Sequence, residues 1–145
     1  MTQGFKEDFA TKEITKAKLS RYILASIANK KLGKPELGVL EDEKIVTLEH
    51  IMPKTRTQHW VRAAANEDEY MEYVNRLGNL TLIERDKNRV VGSASFADKK
   101  SKAFTKSDIS ITKEICNYTE WTVNKIELRQ SEFADEAVDI WTLPY

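Results

Sequence analysis

The chain has 145 residues, a length that suits one domain built around one hydrophobic core. Its formal net charge is zero, which excludes a uniformly basic coat for non-specific nucleic-acid binding but not a local basic face. The single cysteine, Cys116, cannot form an internal disulfide, so a reducing, cytoplasmic location is expected. The polar first residues predict no signal peptide, and no apolar run approaches the roughly 20 residues that a membrane span needs.

The predicted elements begin with a helix over residues 11–32, where apolar residues recur at helical spacing and Gly33 supplies a stop. Four residues form its predicted inner face: Leu19, Tyr22, Ile23 and Ile27. After a polar loop, a β-favouring run from residue 45 predicts a short strand that ends near Glu49. Pro53 cannot continue a central strand, so the chain is expected to leave the sheet there.

A second helix is predicted over residues 67–77, because Asn66 can cap it and acidic residues fill its first turn. Gly78 is expected to end this helix. A second short strand is predicted directly afterwards, over residues 79–83. The helix would therefore stand between the two strands in chain order.

The rest of the chain is predicted to be mainly helical. Asp86 is expected to cap a short turn that carries Asn88, and Ser95 to start a helix that runs to about residue 104. Residues 112–119 favour a further helical segment, and a last helix is predicted over residues 119–141. Its inner face contains Val123, Ile126, Phe133, Ala137 and Trp141. The predicted fold class is therefore α+β and mostly helical.

The chemistry of the chain concentrates around the two predicted strands. Glu49 and His50 stand together where the first strand ends, and Asn79 opens the second strand. Asn88 follows nine residues after Asn79, in the predicted helical turn. If the strands pair as a hairpin with this turn folded across them, Glu49, His50 and Asn88 would meet at one edge. The result would be a ββα arrangement around a small polar site.

Three separate stretches resemble the signature of the ββα-metal nucleases, the HNH family. They are Glu49-His50-Ile51-Met52-Pro53, Gly78-Asn79-Leu80-Thr81-Leu82-Ile83 and Asp86-Lys87-Asn88-Arg89. Within that family the chain resembles the C-terminal nuclease domain of GmrSD-type, modification-dependent restriction enzymes, over about residues 18–142. That group similarly shows a Phe-x-x-Lys helix, here from Phe96 to Lys99, and a late helix that contains tryptophan.

The resemblance implies a fold and an organisation of the chain. The core would be a ββα-metal (HNH) hairpin-plus-helix unit at about residues 44–104, surrounded by additional helices. Residues 1–145 would form a single nuclease domain, and this domain would be the C-terminal part of a larger protein.

The resemblance also implies a role for each residue of the site. His50 would be the general base, and its ordinary pKa near neutrality suits it to take a proton from water. Glu49 and Asn88 would hold one divalent cation, and hard oxygen ligands of this kind favour Mg²⁺ or Mn²⁺. Asn79 would complete the catalytic group by fixing the loop that carries His50 through its side-chain amide.

Residues 85–106 carry seven basic and two acidic side chains, a local balance of +5. Such a stretch can be a solvated helix surface, or it can contact the phosphates of a nucleic-acid backbone. Its place beside the predicted cation favours phosphate contact. The candidate DNA-binding residues are Arg89, Lys99, Lys87 and Lys100. For Arg129 the sequence leaves open a buried salt bridge or a contact with phosphate.

The expected function is a metal-dependent endonuclease domain that hydrolyses phosphodiester bonds of DNA. The resemblance implies a role in bacterial restriction of modified foreign DNA, with an upstream nucleotide-hydrolysing domain in the parent protein. The chain itself contains no GxxxxGK[ST] loop, so we expect it to bind no nucleotide alone. Two alternatives remain open: a catalytically silent nucleic-acid-binding or assembly module of the same fold, and an RNA-cutting relative.

Overall fold

The computed structural model describes residues 2–13, 16–32, 42–88 and 94–141. The α-helices in these ranges are α1 (Thr2–Thr11), α2 (Ala17–Leu32), α3 (Glu67–Tyr73), α4 (Phe96–Lys102), α5 (Ser110–Lys113) and α6 (Val123–Trp141). The strands are β1 (Val46–His50) and β2 (Leu80–Glu84). Short 3₁₀ helices lie at Gln58–Ala63, Leu77–Asn79, Arg85–Lys87, Phe104–Lys106 and Glu114–Asn117. The predicted α+β, mostly helical class is confirmed.

The two strands pair as an antiparallel ladder. His50 lies opposite Leu80, and Val46 lies opposite Glu84. Successive side chains of a strand point to opposite faces of its sheet. Glu49 and His50, although neighbours in the sequence, therefore reach different sides of the ladder. The ladder places the exit of β1 beside the entrance of β2.

The two faces of the sheet are covered by separate hydrophobic clusters. On the side of α2, the buried residues include Leu24, Ile27, Leu80, Leu82 and Phe133. The other cluster includes Met52, Trp60, Ile83, Phe104 and Trp121. Burial on both sides explains why Leu82 and Ile83, neighbours that point to opposite faces, are both apolar, since a strand covered on one face alone would alternate with polar residues. Trp60 and Trp121 are core residues.

Helix α2 differs from its prediction in both extent and orientation. The predicted helix over residues 11–32 is two helices, because α1 ends at Thr11 and α2 begins at Ala17. The predicted inner face is wrong for Leu19 and Tyr22, whose exposed fractions are 47% and 41%. Small side chains set the buried face instead: Ser20, Ala25 and Ala28, together with Leu24 and Ile27. Small residues let a helix approach its neighbours closely, and apolar spacing alone does not reveal this choice.

Helix α6 is the longest helix of the described residues and contacts α1, α2 and α3. Its predicted inner face is confirmed for Val123, Ile126, Phe133 and Ala137, which are all buried. The prediction of a buried Trp141 is wrong, because this residue is only half-buried at the end of the helix. No helix among the described residues combines the length and apolarity that a bilayer crossing requires.

Arg129 of α6 fixes the entrance of β2. Its guanidinium group donates hydrogen bonds to Gly78 O, Leu80 O, Thr81 Oγ1 and Ile111 O, at 2.7 to 3.2 Å. Burial lowers the pKa of Arg129 to about 10. The sequence left open a buried salt bridge or a contact with phosphate for Arg129, and these hydrogen bonds fit neither. Among the described residues its hydrogen bonds go to backbone carbonyls and a hydroxyl, and the carboxylates of Glu114 and Glu132 act on its charge only at longer range.

Two predicted helix starts are confirmed by their capping hydrogen bonds. Asn66 accepts from Glu69 N at 2.9 Å, and Ser95 accepts from Asp98 N at 3.2 Å. The Asp86 prediction is wrong, because Asp86 lies within the 3₁₀ helix Arg85–Lys87 and Glu84 precedes it. Capping residues act on backbone groups a few positions away, so sequence patterns predict them well unless the turn shifts by one or two residues.

Gly78 does not end α3, which stops earlier, at Tyr73. It lies in a 3₁₀ helix directly against α6. A Cβ atom added at Gly78 would lie 2.2 Å from Ile126 O and 2.9 Å from Gln130 Cβ. The position therefore requires glycine for close packing of two backbone segments rather than for helix termination.

Replacing Gly78 with alanine should lower the free energy of unfolding by about 1 to 3 kcal/mol, because α6 must move to admit the methyl group. Urea denaturation measures this change. Gly4→Ala is the matched control, since nothing lies within 4 Å of an added Cβ there and Gly4 is inside α1. The control should be neutral or slightly stabilising. Equal stability of the two variants would contradict the close packing of Gly78.

Candidate active site

Asn79 is fully buried and joins the segment after β1 to the entrance of β2. Its Nδ2 donates to Met52 O at 2.8 Å and to Val74 O at 2.9 Å. Its Oδ1 accepts from Met52 N at 2.8 Å and from Trp121 Nε1 at 3.0 Å. These bonds use both donors and both lone pairs of the amide. Asn79 thus fixes the backbone two residues beyond His50, and Val74 and Trp121 are partners that the sequence did not indicate.

His50 is half-buried at the end of β1, and its ring is oriented by a residue that the sequence analysis missed. Its Nε2 lies 3.0 Å from Asn75 Oδ1. An amide oxygen only accepts, so the imidazole donates from Nε2 and keeps the lone pair of Nδ1 for another proton. Asn75 is 25 residues from His50, outside every stretch that carries the resemblance, and no local pattern could have indicated it.

The surroundings of His50 favour its neutral form. Burial lowers the pKa of His50, and the hydrogen bond with Asn75 opposes this shift. The positive charges of Lys54 and Lys99 lower the pKa further. A neutral imidazole with a free Nδ1 is a competent proton acceptor at neutral pH.

Glu49 is paired with Lys99 on the other side of the sheet. Lys99 Nζ lies 3.3 Å from Glu49 Oε2 and donates to His50 O at 2.8 Å and to Ile51 O at 3.1 Å. Burial raises the pKa of Glu49, although the charge of Lys99 opposes the shift. Burial likewise lowers the pKa of Lys99 against the effect of Glu49. Each charge therefore offsets part of the cost of burying the other.

Lys99 does not lie on the basic surface that the sequence predicted. Only 1% of its side chain is exposed, and its ammonium group is bound to three consecutive residues of the chain. We therefore do not retain Lys99 as a contact to DNA. Its position indicates a structural task, because it fixes the backbone and the carboxylate on both sides of His50.

The other predicted DNA contacts are Lys87, Lys100 and Arg89. Lys87 Nζ is 2.6 Å from Asp108 Oδ2 and 3.3 Å from Glu84 Oε2. Lys100 Nζ donates to the carbonyl oxygen of Tyr118 at 2.8 Å. Arg89 lies outside the described residues. A phosphate would have to compete with these protein partners for Lys87 and Lys100, so both remain predictions.

Asn88 follows the 3₁₀ helix after β2, and its backbone N–H donates to Glu84 O at 3.1 Å. Its Oδ1 is buried and has no hydrogen-bond partner among the described residues. An unsatisfied buried acceptor of this kind costs about 1 to 3 kcal/mol, so it calls for an explanation. A bound cation would supply the missing partner.

The residues present fit a cation that keeps most of its own water. No cluster of three or more histidine, cysteine, aspartate or glutamate side chains suitable for a metal occurs in the described part of the chain. Glu49 and Asn88 would therefore contribute one hard oxygen each, and no hydrogen bond joins them among the described residues. Few oxygen ligands suit Mg²⁺ or Mn²⁺ rather than a closed zinc site. Lys99 already occupies Glu49 Oε2, so a cation would have to share that carboxylate with the ammonium group.

Comparison with known families assigns the chain to a restriction-endonuclease family. Residues 2–136 match the family described as GmrSD restriction endonucleases, C-terminal domain. The chain therefore belongs to this family, and the predicted family is confirmed. The match also includes α1, which the resemblance from sequence did not cover. No curated protein matches the chain.

Proposed function

We propose that the chain is a metal-dependent DNA endonuclease domain of the ββα-metal (HNH) type, with His50 as its general base. The observation that carries the proposal is a half-buried histidine that is held by Asn75 at a strand end, has its pKa lowered by burial and directly follows the largely buried carboxylate of Glu49. Asn79 fixes the segment that follows, so the imidazole has one orientation. Membership of the family supports a nuclease activity, and the arrangement of these residues supports the proposed mechanism.

In the proposed reaction, an oxygen of water bonds to phosphorus while the bond to the leaving oxygen breaks. His50 accepts the proton of the water at Nδ1, because Nε2 is engaged with Asn75. The leaving oxygen takes its proton from solvent. Glu49 and His50 lie on different sides of the ladder, so the phosphate would have to span the end of β1 for a cation held by Glu49 and Asn88 to neutralise charge on it and on the leaving oxygen. Lys99 holds Glu49 and the His50 carbonyl in place during these steps.

The wider role follows from the family and remains part of the proposal. We infer that the domain serves bacterial restriction of modified foreign DNA and works as the C-terminal nuclease part of a larger protein. An upstream nucleotide-hydrolysing domain would control when it cuts. The Oδ1 of Asn88, which has no partner among the described residues, favours a metal-dependent enzyme over a silent binding module, because a bound cation would offset the cost of burying it.

Plasmid nicking with Mg²⁺ or Mn²⁺, with EDTA as the metal-free control, tests the proposal. His50→Ala should slow cleavage by about 10²- to 10⁴-fold, the range expected when a general base is removed. His59→Ala is the matched control, since His59 is the other histidine of the chain and is exposed on a 3₁₀ helix. It should cut at the rate of the unaltered protein.

Each possible result decides between the alternatives. If the protein never cuts DNA with either metal, alone or with its parent chain, it is a silent module or an RNA-cutting relative. Cleavage of a labelled RNA by the same preparation distinguishes those two. If His50→Ala and His59→Ala cut equally well, another group is the base.

A further inference from the structure

A cavity of about 320 Å³ opens between the first turns of α2 and the end of β1. His50 and Asn75 form one part of its wall, and Ser20, Arg21 and Lys54 form another. The cavity is thus adjacent to the proposed base. None of the stretches that carry the family resemblance includes Ser20, Arg21 or Lys54.

Ser20 is the first indication that this cavity holds a ligand. Ser20 is 1% exposed, and its Oγ has no hydrogen-bond partner among the described residues. A buried hydroxyl without a partner is costly, and most proteins avoid it. A ligand with acceptor oxygens would receive the hydroxyl proton and remove that cost.

The charge of the cavity is the second, independent indication. Lys54 is exposed and forms no hydrogen bond or ion pair among the described residues. Arg21 is fixed in place because its Nη1 donates to Val46 O at 2.7 Å. Its Nε lies 4.0 Å from Glu43 Oε1. Among the described residues, no acidic side chain lines the cavity. The 16-residue helix α2 begins at Ala17, in the cavity wall, so its positive dipole end would favour an anion bound there.

We propose that this cavity binds a backbone phosphate of the DNA strand next to the phosphate that is cut. The inference rests on the proposed nuclease function. His50 and Asn75 both line the cavity. His50 Nε2 is engaged with Asn75, and in the proposed mechanism the reacting phosphate faces Nδ1, so we assign the cavity to a neighbouring phosphate. The volume suits one phosphate with its sugar, being at the lower end of the about 300 to 1,000 Å³ of ligand sites.

Binding of a fluorescently labelled DNA duplex, measured by anisotropy in EDTA, tests the cavity without cleavage. Ser20→Ala should weaken binding roughly tenfold, as expected for a lost hydrogen bond to a charged group. The same variant should be as stable as the unaltered protein, or more stable, because it removes an unpaired buried hydroxyl. If the hydroxyl served only the fold, Ser20→Ala would bind DNA as tightly as the unaltered protein and would be less stable.

Lys54→Gln provides the electrostatic test. It should weaken binding several-fold and reduce the slope of log K against log salt by about 1, the loss of one phosphate contact. Lys113→Gln is the matched control, because Lys113 is also exposed but lies on α5, outside the cavity wall. It should leave the slope unchanged.

The outcomes separate this inference from the proposed function. If the unaltered protein binds and cuts DNA but Ser20→Ala and Lys54→Gln bind as tightly as Lys113→Gln, the cavity is not a phosphate site and the nuclease proposal stands. If the unaltered protein neither binds nor cuts DNA, both proposals fail. Weakened binding of both variants, with folding intact, supports the cavity.

Discussion

Replacing Lys99 with methionine should lower the free energy of unfolding by about 3 to 5 kcal/mol, the usual effect of removing one partner of a buried ion pair. The variant would leave the Glu49 carboxylate buried without its cation. It would also leave the carbonyl oxygens of His50 and Ile51 without their donor. Because those groups surround the proposed base, DNA cleavage should fall together with stability.

Urea denaturation and plasmid nicking measure the two effects. Lys102→Met is the matched control on the same helix, since Lys102 is exposed and only 3.9 Å from Asp98 across one turn. Its stability should change by less than about 0.5 kcal/mol. A double variant, Glu49→Leu with Lys99→Met, should regain part of the stability, because it removes both buried charges. It should not regain cleavage. Equal stability of Lys99→Met and Lys102→Met would show that the buried ion pair is not formed.

Replacing Asn79 with alanine should have an effect of similar size for a different reason. The change removes four hydrogen bonds and leaves Met52 N, Met52 O, Val74 O and Trp121 Nε1 without their partner. Each buried unsatisfied group costs about 1 to 3 kcal/mol, and the costs are not additive, so we expect a loss of at least about 3 kcal/mol. The segment after His50 would also lose its fixed position, and cleavage should decrease.

Asn79→Asp distinguishes the donors of the amide from its acceptors. The aspartate keeps an oxygen that can accept from Met52 N and Trp121 Nε1, but a carboxylate cannot donate to the carbonyls of Met52 and Val74. It should therefore be destabilised as well, because a buried charge would face two carbonyl oxygens. Asn124→Ala on the exposed side of α6 is the control and should be neutral or slightly stabilising. If Asn79→Ala unfolds at the same urea concentration as that control, the amide does not fix this segment.

By itself the sequence determined the features that depend on neighbouring residues. The strand that carries Glu49 and His50, the strand predicted from Asn79 and found to begin at Leu80, and the caps Asn66 and Ser95 were all predicted, because capping and alternation are short-range effects. The family was also predicted, since its signature lies in three short stretches of chain.

The tertiary structure alone decided which distant groups meet. Lys99 was predicted at the surface, yet it is buried against Glu49, 50 residues away, because α4 packs on the side of the sheet to which Glu49 points. Gly78 was expected to end a helix, yet α6 makes it indispensable by approaching its backbone. The sequence indicated neither Asn75 nor Ser20. Asn75 matters because it contacts His50, and Ser20 matters because its buried hydroxyl has no hydrogen-bond partner among the described residues. Such contacts depend on how the helices and the sheet pack, and local patterns in a sequence do not contain that information.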